Sequence, residues 1–165
     1  MKVYKSPLPE NSRIARYPDA DYRDCFRSRL QGSEPVSPDD VMAAFWTTKP
    51  AWLKLLFSIR NLLVRPFGLK TGESDEKKLE EALKKGEGYG LMSVVEKTAS
   101  ETVISLDDKH LVAYFSACIE GRDLFVSTVV RFHNKLGVAY FTLIRPFHTI
   151  VVKNIFKQMM REHGF

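Results

Sequence analysis

Residues 91–133 read LMSVVEKTAS ETVISLDDKH LVAYFSACIE GRDLFVSTVV RFH. Four stretches within it, Leu91–Thr98, Thr102–Leu106, His110–Glu120 and Leu124–His133, are rich in β-branched and aromatic residues. Between them stand Ala99-Ser100-Glu101, Asp107-Asp108-Lys109 and Gly121-Arg122-Asp123, all turn chemistry. Connections this short join neighbouring strands as antiparallel hairpins. Side chains alternate across a strand, so Leu111, Ala113, Phe115, Ala117 and Ile119 share one face. Val126, Thr128, Val130 and Phe132 share one face of the next strand, and both sets are expected to face the core.

Working outward, residues 1–18 read as an irregular lead-in and Tyr22 to Leu30 as a first strand. Ser37-Pro38-Asp39-Asp40 is a helix start. Ser37 can cap free N–H groups, Pro38 needs no N–H at the first position, and the aspartates face the positive end of the dipole. This helix breaks near Pro50, and a second follows to about Val64. On it Trp52, Leu55, Leu56, Ile59, Leu62 and Leu63 recur at helical spacing, a stripe expected to pack on the core. Lys54, Ser58, Asn61 and Arg65 take the other side. Residues 71–90 read as a charged surface insertion holding a short helix, with Leu79 and Leu83 its large apolar residues.

The chain ends in a long helix, about Lys135 to Glu162, for which Asn134 is placed as the N-cap. Its predicted apolar stripe is Leu136, Tyr140, Ile144, Phe147, Val151 and Ile155, and its polar stripe includes Arg145, Thr149 and Lys153. Pro146 predicts a kink or a break within it. The whole is an α+β order: a strand, two short helices, hairpin-linked strands, one long helix. It predicts a curved antiparallel sheet of five or six strands, covered on its apolar face by the last helix.

The 165 residues make one expected domain, 1–165, of ordinary apolar and charged content. Net charge is +5, and residues 41–70 hold five basic residues and no acid. Two cysteines, Cys25 and Cys118, make no disulfide framework and read as buried thiols in a reducing compartment. No signal-peptide core or membrane-length apolar run is found, so a cytoplasmic protein is expected.

The element order resembles the helix-grip fold of START and Bet v 1-like proteins. A second likeness lies in the residues themselves. The block Val129-Val130-Arg131-Phe132-His133-Asn134-Lys135-Leu136-Gly137, with Tyr140-Phe141 and Ile144-Arg145-Pro146-Phe147-His148, resembles the bacterial domain of unknown function 2867. So do Asp107-Asp108-Lys109-His110-Leu111, Pro50-Ala51-Trp52 and the run from Leu63 to Lys70. That resemblance implies a helix-grip fold and association with dehydrogenase-like proteins. It implies no activity.

In helix-grip proteins the space between sheet and final helix is often a ligand cavity. Here the inner strand faces carry small Ala113, Ala117 and Thr128 opposite large helix residues. The expected lining is Ala113, Phe115, Ala117, Thr128, Tyr140, Ile144 and Phe147. Candidates for a polar end are His110, Arg131, His133 and Arg145. The plainer reading pairs Arg131 and His133 with Asp107 or Asp108, and leaves Arg145 on the surface.

No phosphate loop, nucleophile elbow or metal spacing is present, so no cofactor, metal or catalytic residue is assigned. The basic residues lack interleaved aromatics, which argues against nucleic acid. The leading expectation is a module binding a small apolar or amphipathic molecule. The alternatives are a small acid–base enzyme of the cyclase or isomerase kind, and an interaction module for a dehydrogenase-like partner or anionic membrane surface. A homodimer is left open.

Overall fold

A computed structural model describes residues 2–17, 19–67 and 76–165 of the chain. Residues 71–75 of the expected insertion lie outside that description. Six antiparallel strands form one sheet: β1 (Tyr4–Lys5), β2 (Tyr22–Arg29), β3 (Met92–Lys97), β4 (Glu101–Asp107), β5 (Leu111–Glu120) and β6 (Asp123–Phe132). Their spatial order is β1-β2-β6-β5-β4-β3, so the first long strand closes against the last. The register shifts between Val94 and Glu96, a bulge that adds local twist to the β3 edge.

Between β2 and β3 come α1 (Pro38–Thr47), α2 (Ala51–Val64) and α3 (Glu76–Lys85). The start of α1 is a full capping box. Ser37 Oγ accepts from the Asp40 N–H, and the Asp40 carboxylate accepts from the Ser37 N–H, each at 3.2 Å. Such a cap contributes about 1 kcal/mol. The charged α3 is a surface helix with one edge inside: Leu79 and Leu83 are buried with Val41, Met42 and Phe45 of α1.

The last element, α4 (Lys135–Glu162), runs unbroken through Pro146. Asn134 caps it, its side-chain oxygen accepting from the Gly137 N–H at 3.0 Å. The apolar stripe is rotated from the expected one. Leu136 is exposed, while Phe141, Val152, Phe156, Met159 and Met160 are buried. The C-terminal half of α4 joins α1, Phe26, Ile104, Phe115 and Val126 in the main core. Its N-terminal part, through Tyr140 and Phe141, makes a second cluster with Val130, Tyr22 and Phe132. This is a helix-grip-like arrangement, a curved sheet clasped by a long terminal helix. No helix among the described residues is long and apolar enough to cross a membrane.

The other face of the sheet is covered as well, by the lead-in. Ile14 is fully buried against Val103 and Val129, and Tyr17 lies 4.2 Å from the Tyr114 ring. The clamp is Glu101, 2% exposed. Its carboxylate accepts from the backbone N–H groups of Arg13 and Ile14 and from the Ser116 hydroxyl. Three donors on one buried carboxylate repay its dehydration and fix the 3₁₀ turn at Ile14–Arg16 to β4. Hence every residue from Leu124 to Val130 is buried, the pattern of a strand covered on both faces.

Candidate functional site

Along β2 the inner face carries Tyr22, Asp24, Phe26 and Ser28, so a carboxylate stands where the period calls for an apolar side chain. Asp24 pairs across the ladder with Thr128 of β6, and Thr128 in turn with Phe115 of β5. These three side chains form one row under the middle of α4. From α4, His148 reaches down to close the row. Its Nε2 lies 3.3 Å from Asp24 Oδ2, an ion-pair distance without hydrogen-bond alignment. The two side chains are only 12% and 1% exposed.

The Tyr22 hydroxyl donates to the same Oδ2 at 2.8 Å and lies 3.5 Å from Thr149 Oγ1. Burial first, and then the Asp24 charge, push the Tyr22 phenol up from its ordinary value, against an opposing pull from Thr149. Tyr22 therefore keeps its proton and acts as a donor at neutral pH. The exposed Arg145 guanidinium covers the Tyr22 ring at 5.1 Å from its centroid. Aromatic walls complete the setting. His148 lies 6.1 Å from the Phe115 ring and 5.9 Å from Phe141, and Trp46 of α1 packs edge-on to Phe115 at 5.1 Å.

Asp24 Oδ1, Thr128 Oγ1 and Trp46 Nε1 are buried without a hydrogen-bond partner among the described residues. A buried polar group left so costs about 1–3 kcal/mol, more if charged. Asp24, Thr128 and His148 occupy a seam where β2, β6 and α4 meet. A carboxylate, an imidazole, a phenol and a hydroxyl within one dry seam can hold a polar ligand end or pass a proton.

The expected lining residues fall unevenly around this seam. Phe115 and Thr128 are part of the row. Ala113 borders both clusters, while Ala117 is buried in the main one. Tyr140 and Ile144 pack in the second cluster, and Phe147 is half-buried beside His148.

Of the polar candidates, only Arg145 reaches the site, through Tyr22. His110 is buried in the β4–β5 turn, its Nδ1 3.3 Å from the Asn134 amide. His133 pairs with Asp107 at 3.0 Å on the surface, as the plainer reading holds. Arg131 lies on the opposite sheet face, beside a depression of about 50 Å³ lined by Tyr17, Tyr114 and Val129. A larger depression, about 440 Å³, lies at the β1–β2 edge. Asp24, Tyr22, Trp46, His148 and Thr149 are not among the residues that the sequence marks for the site, although Thr149 falls in the expected polar stripe of α4. The signal for Asp24 was its parity with Phe26, and for His148 its helical spacing from Phe141, Val152 and Ile155.

Comparison with curated proteins finds no match, and comparison with solved structures finds none either. Comparison with protein families finds one described as Protein of unknown function (DUF2867), matching residues 16–155. That span opens on the 3₁₀ turn beneath the sheet and ends on α4, so it contains Asp24, Thr128 and His148. Five of the six strands, β2 to β6, lie within that match together with the polar seam, α4 overlaps it, and the chain belongs to the DUF2867 family.

Proposed function

We propose that the protein binds a small apolar or amphipathic molecule between the sheet and α4, with its polar end at Asp24, Thr128 and His148. One observation carries this reading: unpartnered polar atoms of Asp24 and Thr128, both at least nine-tenths buried, converge in an otherwise apolar seam. Native proteins retain few such atoms, because each lowers stability without return unless a ligand or reactant meets it. Phe115, Phe141 and Trp46 supply apolar walls for the remainder of the molecule. Buried free thiols at Cys25 and Cys118 agree with a reducing, cytoplasmic setting.

Native mass spectrometry of protein purified from its source cytoplasm tests the proposal. A retained small-molecule adduct is expected, lost on Thr128→Val together with Asp24→Leu. A folded protein without any adduct counts against the reading.

A second reading, acid–base catalysis on the bound molecule, is favoured by the Asp24–His148 geometry. A carboxylate 3.3 Å from an imidazole is within reach for proton transfer, and Tyr22 adds a donor to the same oxygen. In deuterium oxide such a site exchanges a ligand proton for deuterium. The bound molecule would gain mass with the wild type and not with His148→Gln. Equal exchange with both proteins removes His148 from that role.

A further inference from the structure

Four of the six residues in the α2 stripe that periodicity assigns to the core turn outward instead, while Leu56 is half-buried. Trp52, Leu55, Ile59 and Leu62 are 36%, 66%, 38% and 71% exposed, while Leu53 is, among the described residues, the α2 side chain buried in the core. Spacings of three, four and three residues place those four on one side of the helix. Lys54, Ser58 and Arg65, all exposed, line one edge of that side. Over residues 41–70 the sequence has five basic residues and no acidic one.

We infer that the outward face of α2 docks on an anionic lipid bilayer, lying in the plane of its surface. An amphipathic helix with Trp and Leu on one side and cations along the edge matches the two layers of that surface. The apolar side chains enter the acyl boundary, the Trp52 indole sits at headgroup level, and Lys54 and Arg65 meet lipid phosphates. Charge argues for this occupant over a second copy. Two α2 faces paired about a two-fold axis would bring Lys54 and Arg65 near their own counterparts, with no acid in residues 41–70 to neutralise them. The inference is independent of what the Asp24 seam binds.

Cosedimentation with vesicles of phosphatidylcholine alone, and of phosphatidylcholine mixed with phosphatidylglycerol, provides the test. The expected result is partition onto the anionic vesicles on the order of tenfold stronger than onto neutral ones, weakening as salt rises. Leu55→Glu with Leu62→Glu should abolish it while leaving the thermal transition unchanged, since both side chains already face water. Lys54→Glu with Arg65→Glu, which removes no apolar contact, should abolish the preference for anionic lipid.

Failure to pellet with either vesicle would overturn the inference. So would equal, salt-insensitive binding to both. Sedimentation velocity showing a dimer dissolved by the two leucine substitutions would overturn it too, assigning the face to self-association.

Discussion

Replacing Asp24 and His148 singly and together probes the seam most directly. Their side chains are 1% and 12% exposed and 3.3 Å apart. With His148 protonated, two unit charges at that separation attract by about 5 kcal/mol at an effective permittivity near 20. Dehydration offsets much of this, so the intact pair adds little net stability. Breaking it is another matter. His148→Leu keeps an apolar side chain against Phe115 and Phe141 but leaves Asp24 with the Tyr22 hydroxyl alone. A cost of about 3–5 kcal/mol is expected, the usual penalty for stranding one buried charge.

Asp24→Leu strands the imidazole and leaves the Tyr22 hydroxyl only its 3.5 Å approach to Thr149, costing about 2–6 kcal/mol at roughly 1–3 for each weakened donor. The double Leu variant leaves the hydroxyl with Thr149 as its partner. It should fall within about 1 kcal/mol of the wild type, or exceed it by up to about 4. Urea unfolding of the four proteins closes the double-mutant cycle, with an expected coupling above about 3 kcal/mol. Strict additivity, or a coupling under about 0.5 kcal/mol, would refute the pairing. The same double variant carries the functional test. A protein as stable as wild type that still retained its small molecule would refute the placement of the polar end.

Three further outcomes follow from the packing. A Cβ at Gly137 would sit 2.1 Å from the His110 carbonyl oxygen, and backbone cannot step aside as a side chain can. Gly137→Ala should therefore cost about 3 kcal/mol, a fall in Tm of roughly 6–12 °C by differential scanning calorimetry; an unchanged Tm would contradict that close approach. Glu101→Ala should free the lead-in, with proteolytic nicking before residue 20 at least tenfold faster and a stability loss of about 2–4 kcal/mol. Nicking at the wild-type rate would show that Glu101 clamps nothing.

Burial first pushes the Cys25 thiol up to about 11 and the Cys118 thiol up to about 12, from 9.0. The unfolded chain then loses these protons first, so stability is unaffected below pH 9.0 and falls between there and pH 12. Urea midpoints across that window should drop more for the wild type than for a Cys25→Ala, Cys118→Ala variant. Parallel curves would refute the assignment.

Much of the architecture is written in local periods. The alternation of Leu111 to Ile119 and the turn at Gly121-Arg122-Asp123 lead directly to β5, β6 and their hairpin. Ser37-Pro38-Asp39-Asp40 and Asn134 mark two helix starts because capping uses groups three residues apart. An even period also marks Phe115 and Thr128 as inner-facing. What a period cannot tell is what lies opposite.

The α2 stripe shows this plainly. The spacing of Trp52, Leu55, Ile59 and Leu62 is the same for a helix buried on a core and one turned to its surroundings, and only the packed structure tells which. The lead-in likewise has no period of its own. Its place under the sheet depends on Glu101, far along the chain, accepting from Arg13 and Ile14.

The sequence by itself determined the strands from Tyr22 onward, the caps, the terminal helix and the family likeness, because each depends on neighbours in the chain; β1, in the lead-in read as irregular, it did not. Tertiary structure alone decided the seam. Asp24 and His148 come from opposite ends of the chain, and nothing near either signals the other. Their 3.3 Å approach exists only once β2 has closed against β6 and α4 has settled across them both.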